Sequence, residues 1–260
     1  MILCLDIGNS HMHGGVFDND ELQVQFRMAS KTGASSDEYG VFLHSVLREN
    51  GVNHQDIKAI SLCSVVPEVL YPINACCQKY FDIEPFVLQA GVKTGLQIGY
   101  RNPLEVGADR IANAIAVTHL FPQQNVIIID LGTATTFCAI SAQKQYMGGV
   151  IMAGMKMSMK ALESGASKLG SVEIVEREEV LGKSTNESIQ SGLFYGAKGA
   201  MQEIINGLTQ TAFKGRKPLI IGTGGFTSVF RNTNTFDEII PDLVLKGLYL
   251  AHKINEEKTP

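Results

Sequence analysis

The chain has 260 residues, 45% of them hydrophobic and 18% charged, with a formal net charge of −4 at neutral pH. That balance excludes a largely disordered chain, and with a pI near 5.9 it argues against a nucleic-acid footprint. No run of Lys and Arg supplies one locally, so an anionic ligand has to be met by individual cations or backbone amides. The length allows one large domain or two ordinary ones, each with a real core.

The opening apolar run, residues 1–5, stops at Asp6, too early for a signal peptide or a bilayer span, so a cytoplasmic location without a membrane partner is expected. Asp6-Ile7-Gly8-Asn9-Ser10 then turns the chain, and Gly14-Gly15-Val16-Phe17 returns as a second strand, which reads as a hairpin. Residues 21–28 give a third strand. Ser35 or Ser36 caps a helix that runs through Asn50 and stops at Gly51. Residues 58–66 form a strand, Pro67 opens a helix to about Phe81, and residues 85–88 form another strand. Three antiparallel strands followed by alternating helix and strand is the ribonuclease-H-like order, a mixed sheet with helices on its faces.

The second half begins after a helix over residues 108–120. Val126-Ile127-Ile128-Ile129 leads to Asp130-Leu131-Gly132-Thr133-Ala134, and residues 135–140 return, so the grammar of buried strand, acid, glycine and small polar residue is repeated. A third strand over residues 146–151, a helix over 155–167, a short strand over 172–175 and a long helix from Thr185 to about Phe213 follow. Residues 218–221 make a strand before the turn Gly222-Thr223-Gly224-Gly225, a short helix starts at Phe226, and a last helix covers about 242–254. The expected architecture is therefore α/β, two ribonuclease-H-like domains with a cleft between them, residues 1–117 and 118–260, the last helix returning to the first.

A single Asp-Gly pair usually only makes a turn. A matched pair of acidic hairpins says more, because Gly-containing tips present backbone amides to a phosphate, helped by the hydroxyls of Ser10, Thr133 and Thr135. The acids themselves cannot touch phosphate. At an effective dielectric of about 20, like unit charges 4 Å apart repel by roughly 4 kcal/mol, so each carboxylate has to work through a cation or its hydration shell. Between the copies, Asn102-Pro103-Leu104-Glu105-Val106-Gly107-Ala108-Asp109-Arg110 is a turn into a helix. There Asp109 can accept a hydroxyl proton while Arg110 and nearby amides hold an anion. At a helix start Asp109 is expected to stay ionised and to be a weak base, tolerable in phosphoryl transfer because the nucleophile is deprotonated late.

Other motifs fail. Leu181-Gly182-Lys183-Ser184 imitates a P-loop end, but Arg177 stands where its first glycine belongs. Thr227 likewise replaces the third glycine of a dinucleotide fingerprint after Gly222 and Gly224. The Gly222–Gly225 turn suits a shelf for adenosine equally as well as a plain strand-to-helix turn. His11 and His13 lack a spaced third metal ligand and read as loop histidines near nucleotide. The five cysteines form no zinc or redox pattern, and Cys4, Cys63 and Cys138 read as small buried hydrophobes.

The two acidic hairpins, the late Gly-rich turn and the Asp-containing helix start resemble the acetate and sugar kinase, Hsp70 and actin superfamily. More narrowly, Asp6 to Ser10, Asn102-Pro103, Gly107 to Ala114, Asp130 to Thr135, Gly148 to Ile151, Thr185 and Ser191-Gly192, in that order, resemble type III pantothenate kinases. The resemblance implies ATP-dependent phosphorylation of the primary hydroxyl of pantothenate by a homodimer that needs Mg²⁺ and K⁺ or NH₄⁺. It makes Asp6, Ile7, Gly8, Asn9, Ser10, His11, Met12 and His13 the first ATP loop, with Thr133 also on ATP. It makes Asp109 the proton acceptor, places pantothenate on Tyr100, Gly107, Ala108, Asp109, Arg110 and Thr185, and puts a monovalent cation on Asp130. Ser10 replaces the usual Thr, keeping the hydroxyl, and Ala153 replaces a usual Pro before Gly154, which is expected to loosen that turn. A catalytically silent nucleotide-binding regulator of the same fold is the alternative reading.

Overall fold

The computed structural model describes residues 1–31, 33–166 and 169–256. The chain divides into two compact units: residues 1–96, 101–119 and the segment from Leu243 onward, and residues 97–100 with 120–242.

The first unit is built on β1 (Ile2–Ile7), β2 (His11–Asp18), β3 (Glu21–Ala29), α1 (Ser36–Glu49), β4 (Ala59–Ser64), α2 (Pro67–Phe81), β5 (Phe86–Val87) and α3 (Ala108–Leu120). Its sheet has the order β3-β2-β1-β4-β5, with β1 and β2 antiparallel and β4 parallel to β1. The central strand β1 is buried on both faces, whereas β3 alternates outward Glu21, Gln23, Gln25 and Arg27 with inward Val24 and Phe26. That contrast is what a central and an edge strand require. Ser35 caps α1 in a reciprocal capping box with Glu38, and Asn50 closes the helix. Both ends agree with the sequence expectation.

The second unit contains β6 (Gln97–Ile98), β7 (Val126–Leu131), β8 (Ala134–Ile140), β9 (Gln145–Ala153), α4 (Met155–Gly165), α5 (Thr185–Thr211), β10 (Leu219–Thr223) and β11 (Glu238–Ile239). Its sheet reads β6-β9-β8-β7-β10-β11. Removing β6 leaves β9-β8-β7-β10-β11, strand for strand the order of the first sheet and with the same directions around its central strand. The repeated acidic hairpin is thus the visible part of a repeated sheet.

Two segments cross a simple cut near residue 117. Gln97 and Ile98 pair with β9, which draws residues 97–100 into the second unit. The last helix, α6 (Leu243–Glu256), packs on β1, β2 and β4: Ser61 Oγ donates to Leu248 O at 2.8 Å, and the Tyr249 ring stacks on Phe17 at 4.7 Å. Tyr249 Oη also donates to Asp20 Oδ1 at 2.6 Å, tying α6 to the β2–β3 turn.

Two expectations are corrected. Residues 172–175 form no strand; this stretch is a loop whose carbonyls are met by side chains of α5 instead of a neighbouring strand. Gln190 Nε2 donates to Glu173 O at 3.0 Å, and Tyr195 Oη to Glu178 O at 2.9 Å. The helix expected to reach residue 167 ends at Gly165, with Ser167 outside the described residues. The two-residue strands β6 and β11 carry too little pattern to be seen in sequence.

Candidate active site

In the first unit β1 ends with Asp6 half-buried, and the chain turns over Gly8 to His11, where Gly8 N–H donates to His11 O at 3.0 Å. Asn9, Ser10 and His11 are exposed at this tip, whereas Ile7, Met12 and His13 are buried. The side chains of Ile7 and Met12 therefore belong to the core, and only their backbone is left for a ligand. His13 is hydrogen-bonded to Gln25 across the strand pair at 2.6 Å. Ser30, at the end of β3, pins the tip twice: its N–H donates to Ser10 O at 2.9 Å and its Oγ to Gly8 O at 2.6 Å. The Cys63 thiol donates to Asp6 Oδ1 at 3.3 Å from the neighbouring strand.

Asp109 stands in the same unit. Asn102 caps a short 3-10 turn, accepting from Leu104 N–H through Oδ1 at 3.2 Å, and this turn delivers the chain to the start of α3. Asp109 Oδ1 accepts from Arg110 N–H at 2.8 Å. The same oxygen occupies the space a side chain at Gly107 would need, so any residue but glycine there displaces the carboxylate. Burial pushes the Asp109 carboxyl up from the usual carboxylate range, and the Arg110 N–H and charge only partly pull it back. The helix start leads one to expect a weak base; desolvation outweighs the lowering contributions and makes this carboxylate more basic than an exposed one. Arg110 is likewise no solvated surface charge, being only 6% exposed.

Burial first, then the charges of Asp6 and Asp109, raise the Cys63 thiol, which is hydrogen-bonded to Asp6. Beside them is a cavity of about 350 Å³ bordered by Gly107 and Ala108 and closed by Ser64, Val65, Leu88, Gln89 and Leu104. Of these five, only Leu104 lay in a motif read from the sequence. They come from the ends of β4 and β5 and the turn before α3, and only the parallel sheet order brings those chain segments together.

In the second unit Asp130 takes the place Asp6 has in the first, one residue before the end of β7. Thr133 is exposed at the tip, and Gly154 is packed so closely against it that a side chain there would collide with Thr133 O. Ala153 stays paired with Ala134, so β9 keeps its pairing up to the glycine. The turn Gly222–Gly225 follows β10, which runs parallel to β7 with Thr223 opposite Asp130. Gly224 has φ +89 and leaves no room for a Cβ, which would collide with Asp130 Oδ1 and come within 2.7 Å of Leu131 N. Phe226 N–H donates to Leu131 O at 3.2 Å, locking the Gly-rich turn onto the hairpin. Of the other expected contacts, Tyr100 packs edge-on to Tyr146 at 6.1 Å, and Thr185 opens α5 exposed, just after its cap Ser184. Both belong to the second unit.

Among the described residues no group of three or more His, Cys, Asp or Glu could hold a metal ion by itself. What this site offers a hard cation is oxygen: Asp130 Oδ1 lies against Gly132 and Gly224, and a cation there would take its remaining ligands from oxygens such as those of the phosphates. A single carboxylate oxygen is compatible with a hard cation, and a Mg²⁺ that arrives with its nucleotide needs few protein ligands.

The comparisons with known proteins bear on this geometry. A family model described as type III pantothenate kinase matches residues 2–207. A type III pantothenate kinase of Legionella pneumophila is 58% identical over 255 residues, covering 98% of this chain and 99% of that one. The chain belongs to the type III pantothenate kinase family. Solved structures add the fold. A Baf-family protein from Campylobacter jejuni superposes with a TM-score of 0.64 at 18% identity, covering 98% of this chain and 99% of the other. A ROK hexokinase from Thermus thermophilus gives 0.52 at 12% identity over 99% of each chain. Both of these structures share the overall fold of this chain.

Proposed function

We propose that this chain transfers the γ-phosphate of ATP to the primary hydroxyl of pantothenate, the first step of coenzyme A synthesis, in the cytoplasm and as a homodimer. The observation that carries the reading is Asp109, a carboxylate made more basic by burial, next to a cavity of about 350 Å³ in a chain of this family.

The roles follow from chemistry. The exposed tip Gly8-Asn9-Ser10-His11, flanked by Asp6, Ile7, Met12 and His13, offers backbone amides and a hydroxyl to the phosphates, and Thr133 does so from the second hairpin. Gly107, Ala108, Asp109 and Arg110, with Tyr100 and Thr185, take pantothenate. Asp109 orients the hydroxyl and accepts its proton as the bond to phosphorus forms, and Arg110 balances an anionic group beside it. Positioning and charge stabilisation supply most of the rate, because the transition state is loose. Mg²⁺ arriving with ATP would supply charge neutralisation for the phosphates, and Asp130 would hold K⁺ or NH₄⁺ at the second hairpin.

An assay of ADP release with ATP and Mg²⁺, with and without pantothenate, in K⁺ and then in Na⁺, tests the reading. Pantothenate-dependent ADP in K⁺ and a markedly lower rate in Na⁺ are expected. No dependence on pantothenate removes the substrate assignment, and equal rates in the two salts remove the cation from Asp130.

A further inference from the structure

Cys63 was expected to be a small buried hydrophobe, and its burial is complete, with 0% of its surface exposed. Its surroundings are not apolar. β4 runs parallel to β1 with Cys63 in register with Asp6, and the thiol donates to Asp6 Oδ1 at 3.3 Å. Asp109 is close enough to act on the same sulfur. Burial, with the two carboxylates, pushes the thiol far up, so it remains S–H and can only donate; it is neither a nucleophile nor a thiolate ligand.

The second sheet has a comparable pairing in register. There β10 is parallel to β7, and the residue in register with Asp130 is Thr223, buried and carrying a hydroxyl. In each half the strand parallel to the acid's strand thus places a neutral hydrogen-bond donor opposite the acid, a thiol in one and a hydroxyl in the other. An aliphatic residue at position 63 would satisfy packing but would leave the half-buried Asp6 carboxylate with one hydrogen bond fewer.

We infer that Cys63 is a positioning residue for phosphoryl transfer: its S–H holds Asp6 Oδ1 against β4, so that Asp6 presents its other oxygen, Oδ2, to the hydrated cation of the nucleotide. The assignment rests on the kinase reading for the identity of the nucleotide. The hydrogen bond itself does not depend on that reading.

The test has a spectroscopic arm and a binding arm. In the infrared spectrum of the unliganded protein, the difference between wild type and Cys63→Ala should isolate an S–H stretching band displaced to lower frequency, as for a thiol bonded to a carboxylate, and Asp6→Asn should move it. Titration calorimetry with Mg·ATP should show about five- to tenfold weaker binding for Cys63→Ala, the size expected for losing one hydrogen bond of ordinary strength from a weak thiol donor. Cys63→Ser, which restores a donor, should recover affinity to within about threefold, and KM for pantothenate should stay within about twofold in both variants. Cys4→Ala, a buried cysteine on β1, is the packing control and should leave Mg·ATP binding unchanged.

Wild-type affinity in Cys63→Ala, or equal impairment of folded Ala and Ser variants, would reduce Cys63 to packing and overturn the inference. If both variants fail to fold, the wild-type band compared with Asp6→Asn decides alone: a band that does not move with Asp6 overturns it. Absence of pantothenate-dependent ADP while the band and the Mg·ATP effects hold would instead remove the substrate and leave Cys63 in place.

Discussion

Asp6 and Asp130 occupy corresponding positions in two sheets of the same strand order, yet they are secured by different means. Around Asp6 the work is done by side chains: the Cys63 thiol bonds the acid, and Ser30 bonds the tip through Gly8 O and Ser10 O. Around Asp130 much of it is done by close backbone packing, with Gly224 against the acid and Gly154 against the tip. A hydrogen-bonded clamp loses one interaction when one donor is removed. A glycine cradle has no such intermediate state, since any Cβ must push the acid or the backbone aside. The Gly-rich turn held against Asp130 should therefore tolerate a Cβ less than Gly8 at the first tip, where a Cβ meets only His11 O at 3.3 Å.

The largest expected effect lies outside both hairpins and sets the scale. Asp109→Asn should lower kcat by about two to four orders of magnitude, the usual worth of a positioned general base, while calorimetry shows ATP affinity within about twofold of wild type. Near-normal turnover would remove Asp109 from the chemistry. The same substitution should stabilise the fold. Because the folded-state carboxyl is raised, ionising it costs stability as pH rises through the raised value, and below the ordinary carboxylate range no such cost exists. Asp109→Asn should accordingly melt a few degrees above wild type at pH 7, with the gain vanishing in acid, as scanning calorimetry over a pH series would reveal. The acid limb of the kcat profile should for the same reason fall at higher pH than an ordinary aspartate would place it.

The comparison itself is tested by two glycines. Gly224→Ala meets a left-handed backbone, the Asp130 carboxylate and the Leu131 backbone at once, and should cost about 2 kcal/mol or more with loss of Mg·ATP binding. Gly8→Ala meets only His11 O, at 3.3 Å, and should cost about 1 kcal/mol or less. Urea unfolding of the two variants measures the difference. Equal costs would show that the two hairpins are not secured differently.

The acids, the hairpins and the start of α3 were legible in the sequence because each is local: an apolar run, an Asp, a Gly, a return strand. The duplication was legible for the same reason, since the pattern occurs twice in one chain. What sequence could not supply was register and depth. Cys63 lies 57 residues from Asp6, and only the parallel pairing of β1 with β4 makes them partners. Asp109 looked like an ordinary first-turn acid, and its raised carboxyl comes from burial that the sequence around it does not announce. Ser64, Val65 and Gln89 border the cavity because strand ends meet there, and no motif marks them. The loop over residues 172–175 misled in the opposite sense, its alternation of Val172 and Ile174 with Glu173 serving contact with the second core rather than a strand.

The smallest effect is the sharpest probe of the first hairpin. Ser30→Ala deletes the 2.6 Å bond to Gly8 O but leaves the backbone bond from Ser30 N–H to Ser10 O, so the tip stays closed while one partly buried carbonyl loses its donor. The cost should be about 1 kcal/mol, because water can reach the turn and replace part of the bond. Ser30→Thr, which keeps the hydroxyl, should restore most of it. Since Gly8 N–H is held only by the turn's own bond to His11 O, the loosening should appear first as faster amide exchange at Gly8, with a two- to threefold loss of Mg·ATP affinity, about 0.5 kcal/mol. Unchanged exchange at Gly8 in Ser30→Ala would mean that the strand pairing of β1 and β2 holds the tip unaided, and that the side-chain clamp is a consequence of the turn's shape rather than its cause.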